Sequence, residues 1–239
     1  MEQIDDVALA HIRENERKSH LDVYSTMRLY ESGSWLSKPV RSICDVFPYF
    51  SSRNTMEILD LGSGVGRNSI AVAQHFRDIP CRIDCVDILE FAIEMLQKNA
   101  EAFHVSESIR GIAQAIDEFP ILPASYDWII AVSALEHVIS KEVFLQKLSE
   151  IKEGLRNGGI VSIIMNSSVR EFRKRDGMEV APQFEVNFTA EEAQEILSDT
   201  FSDWELLKFS IHDQHYDILR DGEIYELYSK VITYFSRKN

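Results

Sequence analysis

Residues 57–71 read EILDLGSGVGRNSIA. An apolar run ends in three glycines at alternate positions, Gly62, Gly64 and Gly66, and a helix-like pattern follows at once. Glycine has no Cβ, so such a turn accepts left-handed backbone and lets a ligand approach the main chain closely. In an open parallel sheet, a turn between strand and helix lies at the carboxyl end of the strand, where ligands bind. The segment therefore predicts a strand, a ligand cradle and a helix in that order.

The chain around it supports a parallel sheet. After Met56, short apolar runs alternate with amphipathic helical patterns. RIDCVD, IRGIAQAI, YDWIIAV and GGIVSIIM read as strands; residues 68–76, 91–103, 142–155 and 190–201 read as helices. Continuous apolar strands separated by amphipathic helices imply a sheet covered on both faces. The tail differs. WELLKFSIHD and EIYELYSKVITYFSR are joined through LRDG with no helix between them, which predicts an antiparallel pair.

The first 50 residues have another texture. Ile4, Val7, Ala8 and Ile12 recur at helical spacing within residues 4–30. Ser37 is expected to cap a second helix running to about Tyr49, with Pro39 in its first turn. This divides the chain into a helical cap, residues 1–50, and a ligand-binding domain, residues 51–239.

Charge narrows the partners. The chain of 239 residues carries 39 acidic and 25 basic residues, a net charge of -14. Nucleic-acid binding relies on basic surface to displace counterions, so a small-molecule substrate is expected and a nucleic acid is not. REFRKRD, residues 170–176, is the most basic run; it carries acids too and reads as a solvated loop. Cys44, Cys81 and Cys85 form no disulfide framework; they read as core thiols of a reducing compartment, with no metal expected. The acidic start MEQIDD is unlike a presequence, and no apolar run approaches the ~20 residues of a membrane span. A cytoplasmic protein without membrane contact is expected.

The glycine spacing is G-x-G-x-G, and Arg67 stands where the dinucleotide fingerprint has its third glycine. Asp60 precedes the loop, and Asp87 ends the next strand 21 residues after Gly66. A carboxylate there can accept both hydroxyls of a ribose. ILDLGSGVGRNSIA followed by CVDIL resembles the first two motifs of class I S-adenosylmethionine-dependent methyltransferases. The likeness continues through YDWIIAVSALEHV and LRNGGIVSIIM, covering residues 56–165. GRNS, FEVNFTAEEAQEIL and QHYDILRDGE are most similar to the tellurite-resistance methyltransferase branch. Ala131 and Val132 replace that branch's hydroxyl residues, and Tyr216 replaces the arginine after the histidine matched by His215.

The resemblance implies an α/β Rossmann-like fold, a seven-stranded mostly parallel sheet of order 3-2-1-4-5-7-6 with the last strand antiparallel. It implies S-adenosylmethionine as cofactor and S-adenosylhomocysteine as product. Gly62, Ser63, Gly64 and Gly66 would hold the amino-acid half, and Asp60 would contact or order its ammonium. Asp87 would take the ribose hydroxyls, and Ile88, Ala115 and Ile116 would surround the adenine. Asp117 would either substitute for the acid that Ala115 lacks or be a surface residue, and Val132 and Ser133 would approach the methyl donor.

His137 and His215 are the candidate acid–base groups, since histidine titrates near working pH. Tyr24, Tyr30, Trp35, His137, Asn166 and His215 are the candidate acceptor contacts. The three aromatics of the amino-terminal segment either close a lid that excludes water or only dock the first helix. The functional expectation is methyl transfer to a small molecule by in-line displacement. A nicotinamide-type oxidoreductase and a module that binds the cofactor without catalysis are the alternatives.

Overall fold

The computed structural model describes residues 6–220 and 222–239, without the side chains of residues 6–11, 16, 19 and 22. Ile4, and the side chains of Val7 and Ala8, lie outside the described residues. The chain opens with helix α1 (Asp6–Thr26). The continuous second helix expected as far as Tyr49 is replaced by three short pieces. A 3-10 turn at Trp35–Ser37 is capped by Ser34, not Ser37; then come α2 (Arg41–Cys44) and a second 3-10 turn at Phe47–Phe50. Pro48 lacks the N–H that a continuing helix needs, and it opens the last turn.

Strands β1 (Met56–Leu61), β2 (Cys81–Asp87), β3 (Ile109–Ala113), β4 (Tyr126–Val132) and β5 (Leu155–Arg173) alternate with helices α3 (Ser69–His75), α4 (Glu90–Ala102) and α5 (Lys141–Gly154). Beyond them lie β6 (Met178–Val180), α6 (Ala190–Thr200), β7 (Glu205–Arg220) and β8 (Glu223–Arg237). The sheet order is β3-β2-β1-β4-β5-β8-β7, with β6 paired to the far end of β5. This is the expected order plus one strand. β6 has three residues, too few for a periodic signal in the sequence. Strands β1 to β5 are parallel, and β8 runs antiparallel to both β5 and β7.

Alternation along each strand feeds two cores. Ile58, Ile83, Ile130 and Ile164 point to the face covered by α3 and α4. Leu59, Leu61, Ile129 and Ile163 point to the face covered by α5 and α6. Every residue of β4 up to Ala131 is buried, as a strand covered on both sides requires. Cys81 and Cys85 join the first core, and the three thiols are free.

β5 runs for 19 residues, far past the carboxyl end of β4. Its extension beyond a bulge at Ser167/Arg170 pairs with β8 on one side and β6 on the other. The basic run expected as a loop is therefore strand as far as Arg173. Its cations are spent on Glu179 (2.8 Å), Asp176 (2.8 Å), Asp217 (2.6 Å) and Glu223 (2.8 Å). The extended β5–β8–β7 sheet stands as a wall beside the carboxyl edge. Among the described residues, no helix is long and apolar enough to cross a membrane.

Candidate active site

The glycine loop is built as its sequence demands. Gly62, Gly64 and Gly66 have φ of 71°, 53° and 89°, the left-handed region that favours glycine. A Cβ on Gly62 would lie 2.4 Å from Ala134 Cβ, so the turns after β1 and β4 are in close contact. The Gly62 and Ser63 amides donate to Val86 O at 2.8 and 3.0 Å, which ties the loop to the end of β2. The Ser63 hydroxyl is buried without a hydrogen-bond partner, a polar group that a ligand could satisfy.

The two acids that frame the loop occupy different places. Asp60 is buried beneath it, and its carboxylate accepts the Ser69 hydroxyl at the start of α3. Burial pushes its pKa up to about 7; the Ser69 bond opposes the rise and the Asp87 charge adds to it. Asp60 thus braces the loop from below. Asp87 sits at the rim. Its carboxylate accepts the amides of Gly64 (2.8 Å) and Leu89 (2.9 Å). Burial raises its pKa, against those two amides and the charges of His20 and His137. Each oxygen retains acceptor capacity after one amide bond. Beside it Ile88 is 51% exposed, so this aliphatic side chain is no part of the core. Ala115 and Ile116 are half-buried across the same rim. Val132 packs against the first core, and Ser133 holds a φ of 51° while its amide donates to Ile164 O at 2.7 Å. Non-glycine residues in this region are uncommon and gather at functional sites.

The amino-terminal aromatics clasp this loop. The Tyr24 hydroxyl lies 2.7 Å from where a Gly64 Cβ would stand, and its ring meets Trp35 and Phe91. The Tyr30 hydroxyl donates to Arg67 O at 2.8 Å, and the Arg67 guanidinium lies 5.4 Å from the Trp35 ring centroid. Further along α1, Arg13 pairs with Asp117 at 3.1 Å and Glu185 at 3.7 Å, and the Asn15 amide donates to Gln183 at 2.9 Å. Helix α1 therefore bridges the glycine loop, the turn after β3 and the segment before α6. Asp117, expected near the adenine, is engaged by this bridge.

The histidines separate. His137 Nδ1 lies 3.0 Å from Glu185, and the ring stacks on Phe184 with centroids 5.2 Å apart. It belongs to the turn after β4, near enough for its charge to act on Asp87. His215 stacks on Tyr228 at 4.2 Å and lies 3.9 Å from Glu226, facing away from its neighbour Tyr216. It lines a shallow surface pocket of about 350 Å³ on the outer face of the wall. His215, Asp217 and Glu226 offer ligand atoms within 4.8 Å of one another, but Lys174 already pairs with Asp217 at 2.6 Å.

Asn166 is buried and joins a polar network. Its backbone and side-chain amides both donate to Glu136 Oε1, and the Ser229 hydroxyl donates to its Oδ1 at 3.0 Å. On the same face of the wall, Glu171 is held by Arg220 at 2.8 Å. Burial raises the Tyr216 pKa, and Glu171 and Glu136 add to the rise. Glu136, Glu171, Glu185, Arg13 and Arg220 escape sequence reading, because their partners lie up to 172 positions away. Glu136 alone left a trace, as the neighbour of His137 in ALEHV.

A family profile described as a methyltransferase domain matches residues 58–159. The human tRNA N(3)-cytidine methyltransferase METTL2B is 32% identical over 124 residues, which are 50% of this chain and 32% of that protein. The chain thus spans about a third of the curated relative it matches. TehB from Haemophilus influenzae aligns over 82% of this chain and 62% of its own, with 22% identity and a TM-score of 0.59. The [4+2]-cyclase SpnF aligns over 97% of this chain and 96% of its own, with 16% identity and a TM-score of 0.62. These structural likenesses establish the class I methyltransferase fold, and the glycine loop with its two acids falls inside the matched domain.

Proposed function

We propose that the protein transfers the methyl group of S-adenosylmethionine to a small molecule enclosed beneath α1. The observation that carries this reading is the double anchorage of α1: Tyr24 on the glycine loop at one end, and Arg13 on Asp117 and Glu185 at the other. A roof pinned on both sides suits a small acceptor better than a polymer. The net charge of -14 and the acid-paired cations of residues 170–175 act in the same direction.

The residues present fit an adenosyl cofactor. The bare backbone of Gly62 to Gly64 and the unpartnered Ser63 hydroxyl would hold its amino-acid half. Asp87 would accept the ribose hydroxyls, and Ile88 would pack on the adenine. When bound, the cofactor supplies an electrophilic methyl group on a sulfonium. The protein's part is alignment and exclusion of water, which together can contribute several kcal/mol. The cap, of which residues 6–50 are described, would close the cleft. If the acceptor loses a proton, His137, whose Nδ1 lies 3.0 Å from Glu185, is the candidate base.

Calorimetric titration with S-adenosylhomocysteine, followed by incubation with methyl-labelled S-adenosylmethionine and separately a metabolite extract or bulk tRNA, tests the reading. Micromolar binding and label in a low-molecular-mass product are expected. Label in tRNA replaces the small acceptor with RNA, as the METTL2B likeness suggests. Binding without transfer in either arm leaves a cofactor-binding module, and tight binding of a nicotinamide dinucleotide instead overturns the cofactor assignment.

A further inference from the structure

Glu136 is fully buried in the 3-10 turn after β4, the turn whose Ala134 touches the glycine loop. Its Oε1 accepts two donors from Asn166, at 2.8 and 3.0 Å. Asn166 is fixed in turn by Ser229, so it cannot swing to cover the other oxygen. Oε2 is buried and has no hydrogen-bond partner. Among the described residues no lysine or arginine pairs with Glu136, whereas Glu171 has Arg220 at 2.8 Å and Glu185 has Arg13 at 3.7 Å. The neighbouring buried acids have thus been given cations and Glu136 has not.

A buried carboxylate oxygen without a donor is unfavourable unless something else completes it. The groups nearest in kind are acceptors or amphoteric: the Ser229 hydroxyl and the Gln214 carbonyl meet at 3.4 Å, and Tyr216 stands within reach of the charges of both Glu136 and Glu171. None of these groups bonds to Oε2, and what it lacks is a donor, best one carrying positive charge.

We propose that Glu136 Oε2 anchors an N–H donor of the methyl acceptor, so that the acceptor is a small molecule bearing an ammonium group. This rests on the methyl-transfer reading of the same cleft. A charge-assisted bond from ammonium to carboxylate is stronger than one from a neutral hydroxyl. Asn166 is a positioning residue, because it reaches the acceptor only through Glu136.

The test uses benzylammonium, benzyl alcohol and benzoate as matched probes on the full chain, by saturation-transfer NMR with and without S-adenosylhomocysteine. Benzylammonium is expected to bind at least tenfold tighter than the other two, and Glu136→Gln, which keeps the shape but not the charge, is expected to abolish the preference. S-adenosylhomocysteine affinity of the variant is expected within twofold of the parent. Equal binding of the three probes to the parent chain overturns the proposal without any variant, and so does a preference that survives in Glu136→Gln. Failure of S-adenosylhomocysteine to bind strikes the methyl-transfer reading instead, and the probe preference is scored separately on the same sample.

Discussion

The two sides of the cleft are made from different materials. The β1–β2 side is backbone and local sequence: three left-handed glycines, an acid below them and an acid 21 residues on. The β5–β8–β7 side is side chain and distance: Glu136 with Asn166, Glu171 with Arg220, Ser229 with Asn166, each pair between 30 and 63 positions apart. The first side needs close backbone approach, which few sequences allow. The second needs only that polar groups meet, which many sequences allow. This explains how one fold can keep its cofactor while changing its acceptor.

The contrast is broken most directly at the loop. Gly62→Ala adds a Cβ that meets Ala134 Cβ at 2.4 Å, on a backbone with φ of 71°. Overpacking and left-handed strain together predict a loss of about 2–5 kcal/mol in urea unfolding. Gly177→Ala is the control: its φ is 68°, yet nothing lies within 4 Å, so only strain remains, about 1–2 kcal/mol. Equal losses at the two positions would dissolve the idea that close approach shapes this side.

Asp60 sharpens the comparison through pH. Its pKa is raised to about 7 from 3.8, so the folded state holds a proton that the unfolded state has released. Stability from this group is therefore lost as pH rises from about 4 through 7, on the order of 4 kcal/mol in all. Asp60→Asn should flatten that part of the stability–pH curve, read by chemical denaturation at several pH values. An unchanged slope removes Asp60 as its source.

Asp87→Ala should weaken S-adenosylhomocysteine binding by about 1.5–3 kcal/mol, roughly 10–100-fold by calorimetry, because a charge-assisted pair of hydrogen bonds is lost. Unchanged affinity in a folded variant takes Asp87 out of the site. The smallest effects belong to the histidines. His137→Ala should lower kcat/KM about tenfold, while His215→Ala, on the outer face of the wall, should leave it within twofold. The opposite ranking would move the acceptor to the other face of the hairpin.

Much of the loop was legible in the residues themselves. Alternate glycines, the apolar run before them and the acid ending the next strand announce a strand–cradle–helix unit, because each is a local requirement of backbone geometry. The sheet order followed from resemblance and topology, and the tail hairpin from the missing helix. Reading stops short where a residue's contacts depend on a distant partner. Tyr30 and Trp35 resemble acceptor contacts in the sequence, yet both are tied to Arg67. His215 resembles a catalytic histidine, yet strand alternation turns it from the cleft while Tyr216 faces Glu136 and Glu171.

By itself, then, the sequence determined the periodicities, the left-handed turn and the placement of a carboxylate at the tip of β2, since these depend on residues within one or two elements. Only the tertiary structure decided which acids are paired and which is left bare. Burial and the presence of a counter-charge are properties of the space between elements, and a carboxylate written in the chain is the same letter whether Arg220 stands beside it or nothing does.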